Sequence, residues 1–164
     1  MRVLGIDPGT FKMGVGVIDS NSRDLTHVFS TVLSARSKDT ISDRLHFFFK
    51  EISHIVVTWR PSEMAIEQPF AGTNIRAAMS IGHAQAVAMV AAASHGLPVS
   101  AYTPRQVKKS VTDYGGSSKD QVGDMVRVLL DEDVPAETED LTDALAVAIC
   151  HVNSSFINEL TILE

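Results

Sequence analysis

Two periodicities follow one another along this chain, and their order limits the fold more than any other feature. Residues 2–7 and 13–18 are short apolar runs joined by Pro8-Gly9-Thr10, and residues 26–33 form a third run beyond a polar turn at 21–24. Strand-like runs with short polar links give antiparallel neighbours. From about residue 39 the spacing changes. Ile41, Leu45, Phe48, Ile52 and Ile55 recur at threes and fours, which predicts a helix over 39–58, with Ser37 or Asp39 as its cap. Strands and helices then alternate. Residues 64–66 are a short apolar strand that ends on Glu67, and 98–102 read as a fifth strand.

Between those two strands the spacing predicts a long helix over 74–95. Its stripe of Ile75, Ala78, Met79, Gly82, Ala86, Met89, Val90 and Ala93 is expected to pack closely on a sheet. Thr103-Pro104-Arg105-Gln106 has the form of a capping box with proline at the first helical position, and Ser118 with Gln121 repeats the box. An amphipathic helix follows through Val122, Met125, Val126, Leu129 and Leu130. The last helix starts near Glu139 and runs through Val152. Three meandering strands followed by alternating strands and helices imply one α/β domain over residues 1–155, with a mixed five-stranded sheet flanked by helices. Residues 156–164 read as a C-terminal tail.

Composition removes several function classes. The chain has 164 residues and 45% hydrophobic content, enough for one sizeable core. No run of about 18 uninterrupted apolar residues occurs, and the N-terminus goes straight into a strand, so neither a membrane span nor a signal peptide is expected. Cys150 is the one cysteine, which forbids an internal disulfide and fits a reducing cytoplasm. The six histidines lack paired ligand spacing, which argues against zinc. The net charge of −6 is unevenly spread. Residues 1–74 are balanced, 75–130 carry +3, and 131–164 carry −9. A basic middle could face phosphates while the acids lie elsewhere.

Four acids stand out by context. Asp7 and Glu67 each end an apolar strand, and Asp140 and Asp143 lie three residues apart at the start of a mostly apolar helix. Each has a plain structural reading, as a turn former or as a partner of a helix dipole. Were the first and fourth strands adjacent and the last helix packed over their ends, the four would converge. Clustered carboxylates repel unless cations neutralise them, and hard divalent ions such as Mg²⁺ or Mn²⁺ suit an all-oxygen site. Two such ions can activate a water and stabilise the leaving oxygen of a phosphodiester. Gly9 would let a phosphate approach the backbone.

Five blocks carry a resemblance: "GIDPGT" at 5–10, "AIEQPF" at 65–70, "GHAQAVAMVAAA" at 82–93, "YTPRQVKKSV" at 102–111 and "EDLTDALAVAICH" at 139–151. In this order the chain resembles the RuvC-type Holliday junction resolvases, bacterial endodeoxyribonucleases of RNase H-like fold. The resemblance implies that Asp7, Glu67, Asp140 and Asp143 are the catalytic, metal-binding acids, served by Mg²⁺. It implies a cytoplasmic homodimer that cuts opposing strands of a four-way junction by paired symmetric nicks in recombination and repair. It also implies cooperation with the bacterial branch-migration complex. Phe70 fills the family's base-stacking aromatic position. Lys108 and Lys119 match its basic positions against the DNA backbone, and Lys109 and Arg76 are further candidates. The acidic tail departs from a simple DNA-binding picture. Three competitors remain: an actin-like ATPase, which would need a second phosphate loop; a non-catalytic junction-binding module; and an RNase H-like nuclease acting on another nucleic acid.

Overall fold

The computed structural model describes residues 1–21, 24–68, 74–131 and 139–162, with side chains as far as residue 156. Five strands form one sheet: β1 (Arg2–Asp7), β2 (Lys12–Asn21), β3 (Asp24–Ser34), β4 (Glu63–Glu67) and β5 (Val99–Tyr102). Their order is β3-β2-β1-β4-β5. β1, β2 and β3 pair antiparallel, whereas β1–β4 and β4–β5 pair parallel. Around them lie α1 (Ile41–Trp59), α2 (Ile75–Ser94), α3 (Pro104–Thr112), α4 (Lys119–Leu129) and α5 (Glu139–Ile162). The mixed sheet is the one expected from the order of the periodicities.

Alternation along each strand divides the core into two. Leu4 and Ile6 of β1 and Met64 and Ile66 of β4 join Phe48 and Ile52 of α1 and the alanines of α2 on one face. Val3 and Ala65 join Val107, Val122, Leu145 and Ile149 of α3, α4 and α5 on the other. Asp7 and Glu67 share the parity of Val3 and Ala65, so both acids lie on the α5 face.

That face is built for close approach. A Cβ on Gly5 would collide with the Ala144 carbonyl oxygen and with Ala148, and a Cβ on Gly14 would collide with the Asp140 carbonyl oxygen. Bare backbone at these two positions lets α5 lie directly on β1 and β2. Gly14 is also the register partner of Asp7, so this contact brings the start of α5 over the end of β1.

Local chemistry sets the helix ends. Thr103 and Ser118 cap α3 and α4 with complete capping boxes, as their spacing predicts. Thr40, not Ser37 or Asp39, caps α1 by accepting from the Asp43 N–H. α5 continues past Val152 to Ile162; within it the Ser154 and Ser155 hydroxyls donate to the Cys150 and His151 carbonyls, and Phe156 packs on the core.

The reading of α2 needs correction. The helix packs on α1 and buries Ala84, Ala88, Ala91 and Ala92. The larger residues of the expected sheet-facing stripe point outward: Ile75, Met79, Met89 and Val90 are exposed. Alanine allows two helices to approach closely, and this overrides the bulk of the opposite side. Among the described helices, α2 alone is long and apolar enough to cross a membrane by length and composition. It serves here as a packed helix with an uncovered apolar side.

Candidate active site

The site is assembled at the C-terminal end of two parallel strands. β1 and β4 run in register through Ile6 and Ile66, and Asp7 and Glu67 are the next residues on each. Neighbouring strands lie about 4.8 Å apart, which brings the two carboxylates onto one face at one level. α5 then crosses this face, with Asp140 against Gly14 and Asp143 one turn further on. The four acids singled out in the sequence are thus brought together by strand register, the parity of the α5 face and a glycine seam.

Their electrostatics follow from that proximity. Burial, aided by repulsion from Asp143 and Asp140, pushes the Asp7 carboxyl up to about 7. Burial likewise pushes Glu67 up to about 7, with repulsion from Asp7 and Asp143 adding to it. Two groups that would ordinarily be ionised near pH 4 are therefore held half-protonated near neutrality. Lys119 opposes the shift at both, and Lys108 opposes it at Glu67. The donor set is all carboxylate, and the nearby ammonium of Lys119 offsets only part of its negative charge, which fits a hard divalent cation. Among the described residues, no three carboxyl, imidazole or thiol groups already form a chelating set.

Lys119 sits against the acids themselves. It occupies the first position of α4, and its Nζ lies 2.7 Å from Asp143 Oδ2 and 4.0 Å from Glu139 Oε2. Lys108 projects from α3 near Glu67 and is partly buried. Lys109 and Arg76 are exposed on α3 and α2. Phe70 lies outside the described residues. Gly9 has a reason of its own, since a Cβ there would collide with the Lys12 carbonyl oxygen across the hairpin.

The sequence reading missed one cluster. His151, buried on α5, places Nε2 2.9 Å from Glu63 Oε2 and Nδ1 2.9 Å from the Tyr102 hydroxyl. With Nε2–H donating to the Glu63 carboxylate, Nδ1 accepts from Tyr102, and all three groups are satisfied. The network ties α5 to β4 and β5, two helical turns beyond Asp143. Glu63 shares the parity of Glu67, so strand alternation was the available signal.

A family model for crossover junction endodeoxyribonuclease RuvC matches residues 3–151. The chain belongs to the RuvC family. A curated crossover junction endodeoxyribonuclease from Dehalococcoides mccartyi is 44% identical over 151 residues, covering 92% of this chain and 90% of that protein. Its counterpart from Geobacter sulfurreducens is 42% identical over 160 residues, covering 98% and 97%. The solved structure of T. thermophilus RuvC with a Holliday junction substrate superposes with a TM-score of 0.90 at 29% identity, covering 96% of each chain. The yeast mitochondrial resolvase Ydc2 shares the fold, with a TM-score of 0.63 at 12% identity. As a family member the chain is a nuclease.

Proposed function

We propose that this chain resolves four-way DNA junctions by metal-dependent hydrolysis of the phosphodiester backbone, with Asp7, Glu67, Asp140 and Asp143 as the metal-binding acids. The observation that carries this reading is geometric: the half-buried carboxyls of Asp7 and Glu67 end two paired parallel strands, on the face that α5 covers with Asp140 and Asp143, and the crowding raises both to about 7. A protein gains nothing in stability by holding repelling carboxylates together, so a bound cation is the compensation that the arrangement needs. We read that cation as Mg²⁺, replaceable by Mn²⁺, with two ions per site. Bound divalent ions supply Lewis-acid polarisation of the scissile phosphate and a water activated for attack.

The chain's own residues do the rest. β1 and β4 hold Asp7 and Glu67 rigidly at their ends. Asp7 has acids on both sides, Glu67 across the sheet and Asp140 and Asp143 above, and is the residue best placed to serve both ions. Lys108 and Lys119 bring positive charge to the rim, where a phosphate would approach. Phe70, two residues after Gln68, is assigned the base-stacking role of the family's aromatic position, and Lys109 and Arg76 are assigned peripheral backbone contacts.

Paired nicks need two sites, so we read the working enzyme as a homodimer. The uncovered apolar side of α2 supports this. Val90 lines a groove with Leu45, His46, Phe49, Ala86 and Val87 between α1 and α2. Ile75 and Met79 extend the apolar surface toward the start of the helix, and a second copy of the chain is the occupant we assign. Residues 1–155 are read as the nuclease domain and 156–164 as its tail. The working location is the cytoplasm, with the branch-migration complex as functional partner. One gel tests the reading. A four-way junction, a linear duplex and an RNA–DNA hybrid are each incubated with Mg²⁺ or EDTA. Paired symmetric nicks on the junction alone, absent with EDTA, are expected. Binding without cutting, or cutting of the hybrid, would overturn it.

A further inference from the structure

Lys119 is the one cation in direct contact with the four acids among the described residues. Its Nζ sits 2.7 Å from Asp143 Oδ2, and the Asp143 side chain is only 19% exposed while that of Lys119 is 60% exposed. Asp143 is the more enclosed partner, and Lys119 reaches in to it from the solvent side. The base of that reach is firm, because the capping box of Ser118 and Gln121 encloses Lys119 at the start of α4. Beyond the contact, the ammonium counteracts the repulsion felt by both Asp7 and Glu67. No chelating set stands ready among the described residues. The cluster therefore already holds a positive charge, and that charge is the chain's own.

We propose that Lys119 is the resident counter-ion of the acidic cluster, and that its ammonium must leave Asp143 when a divalent ion binds there. An ion on the same carboxylate oxygen would lie directly against the ammonium, and two like charges cannot share that oxygen without strong repulsion. The exchange has two consequences. Without metal, Lys119 holds Asp143 in place and keeps the repelling acids from forcing α5 off the sheet. With metal, Lys119 is freed at the rim, where its charge is available to a DNA phosphate. Lys119 is thus a positioning residue for Asp143 before loading and a phosphate contact after it. This inference rests on the metal reading of the four acids given above.

The test is calorimetric titration of the full chain with Mn²⁺, without DNA, for wild type, Lys119→Gln, Lys108→Gln and Asp7→Asn. Lys108→Gln removes a positive charge that acts on Glu67 but breaks no ion pair among the described residues. Direct exchange predicts that Lys119→Gln tightens Mn²⁺ binding about tenfold, and Lys108→Gln by less than about threefold. Unchanged or weaker binding in Lys119→Gln overturns the proposal, as does an equal gain in both lysine variants, which would reduce the effect to a general field. Binding that Asp7→Asn abolishes, with no gain in Lys119→Gln, sinks the exchange and leaves the metal reading standing. No uptake by wild type or Lys119→Gln sinks both. Should Lys119→Gln misfold, the ¹⁵N resonance of the Lys119 ammonium in wild type reads the same event. It must shift on addition of Mg²⁺, and an unmoved resonance at saturation refutes the exchange.

Discussion

Replacing Asp7 with asparagine is expected to make the metal-free protein more stable, and the gain is expected to depend on pH. Burial and neighbouring acids raise the Asp7 carboxyl from its ordinary 3.8 to about 7. A carboxyl raised in this way keeps its proton in the folded chain while the unfolded chain gives it up. Stability therefore falls as pH rises from about 4 to about 7 and stays low above that. Each pH unit of difference is worth about 1.4 kcal/mol, so Asp7 treated alone sets a ceiling of about 4 kcal/mol. Asp7 and Glu67 share part of the repulsion, and neutralising one relieves the other, so about 2 kcal/mol is the expected gain at pH 8. For a chain of this length that corresponds to a rise in Tm of about 4–8 °C. Thermal unfolding of wild type and Asp7→Asn in EDTA, at pH 8 and pH 5, measures it. At pH 5 the folded carboxyl is protonated while the unfolded one is already largely ionised, so a gain of less than half the pH 8 value is expected there. Addition of Mg²⁺ at pH 8 should then stabilise wild type and leave the variant where it was. A variant less stable than wild type at pH 8, or one with the same gain at pH 5, would refute the account of a buried, repelling cluster.

Other perturbations address what holds the site in place. Gly5→Ala inserts a methyl group into the Ala144 carbonyl and Ala148. It should cost about 3 kcal/mol in denaturant unfolding and reduce cleavage further by lifting α5 from the sheet. Unaltered stability would mean that the helix does not rest on the backbone there. His151→Ala removes two buried hydrogen bonds and leaves Tyr102 and Glu63 without their partner, at a cost of about 3 kcal/mol by chemical denaturation. Met79→Glu with Val90→Glu places charge on the uncovered side of α2. Sedimentation should then report monomers where wild type sediments as a dimer, and unchanged sedimentation would exclude this face as the contact.

The sheet was legible because its order is written in turn length and period. Short polar links made β1, β2 and β3 antiparallel neighbours, and the helical spacing after residue 39 forced crossovers to β4 and β5. Asp7 and Glu67 were legible for the same reason, since each interrupts an apolar strand at its end. What the pattern could not supply is which side of a helix meets which neighbour. In α2 the bulky stripe looked like the packed side, yet the alanines are buried because close helix approach favours small residues over large ones. Lys119 could be read as a basic residue matching a DNA-backbone position, but not as a partner of the acids. Its contact with Asp143 spans 24 positions in sequence and depends on how α4 leans on α5. The glycine seam was visible as Gly5, Gly14 and Gly16 at alternate strand positions, but only the packed helix explains it. The hydrogen bonds of His151 join three elements, and strand alternation placed Glu63 on the right face without showing what it meets.

The central claim is that four carboxylates from two strands and one helix hold metal together. Crystals soaked in Mn²⁺ and measured for anomalous scattering test it most directly. The account predicts anomalous peaks within about 2.5 Å of the carboxylate oxygens of Asp7, Glu67 and the Asp140–Asp143 pair, with Asp7 shared between them. Full Mn²⁺ occupancy elsewhere on the chain, with no peak beside Asp7, would contradict it.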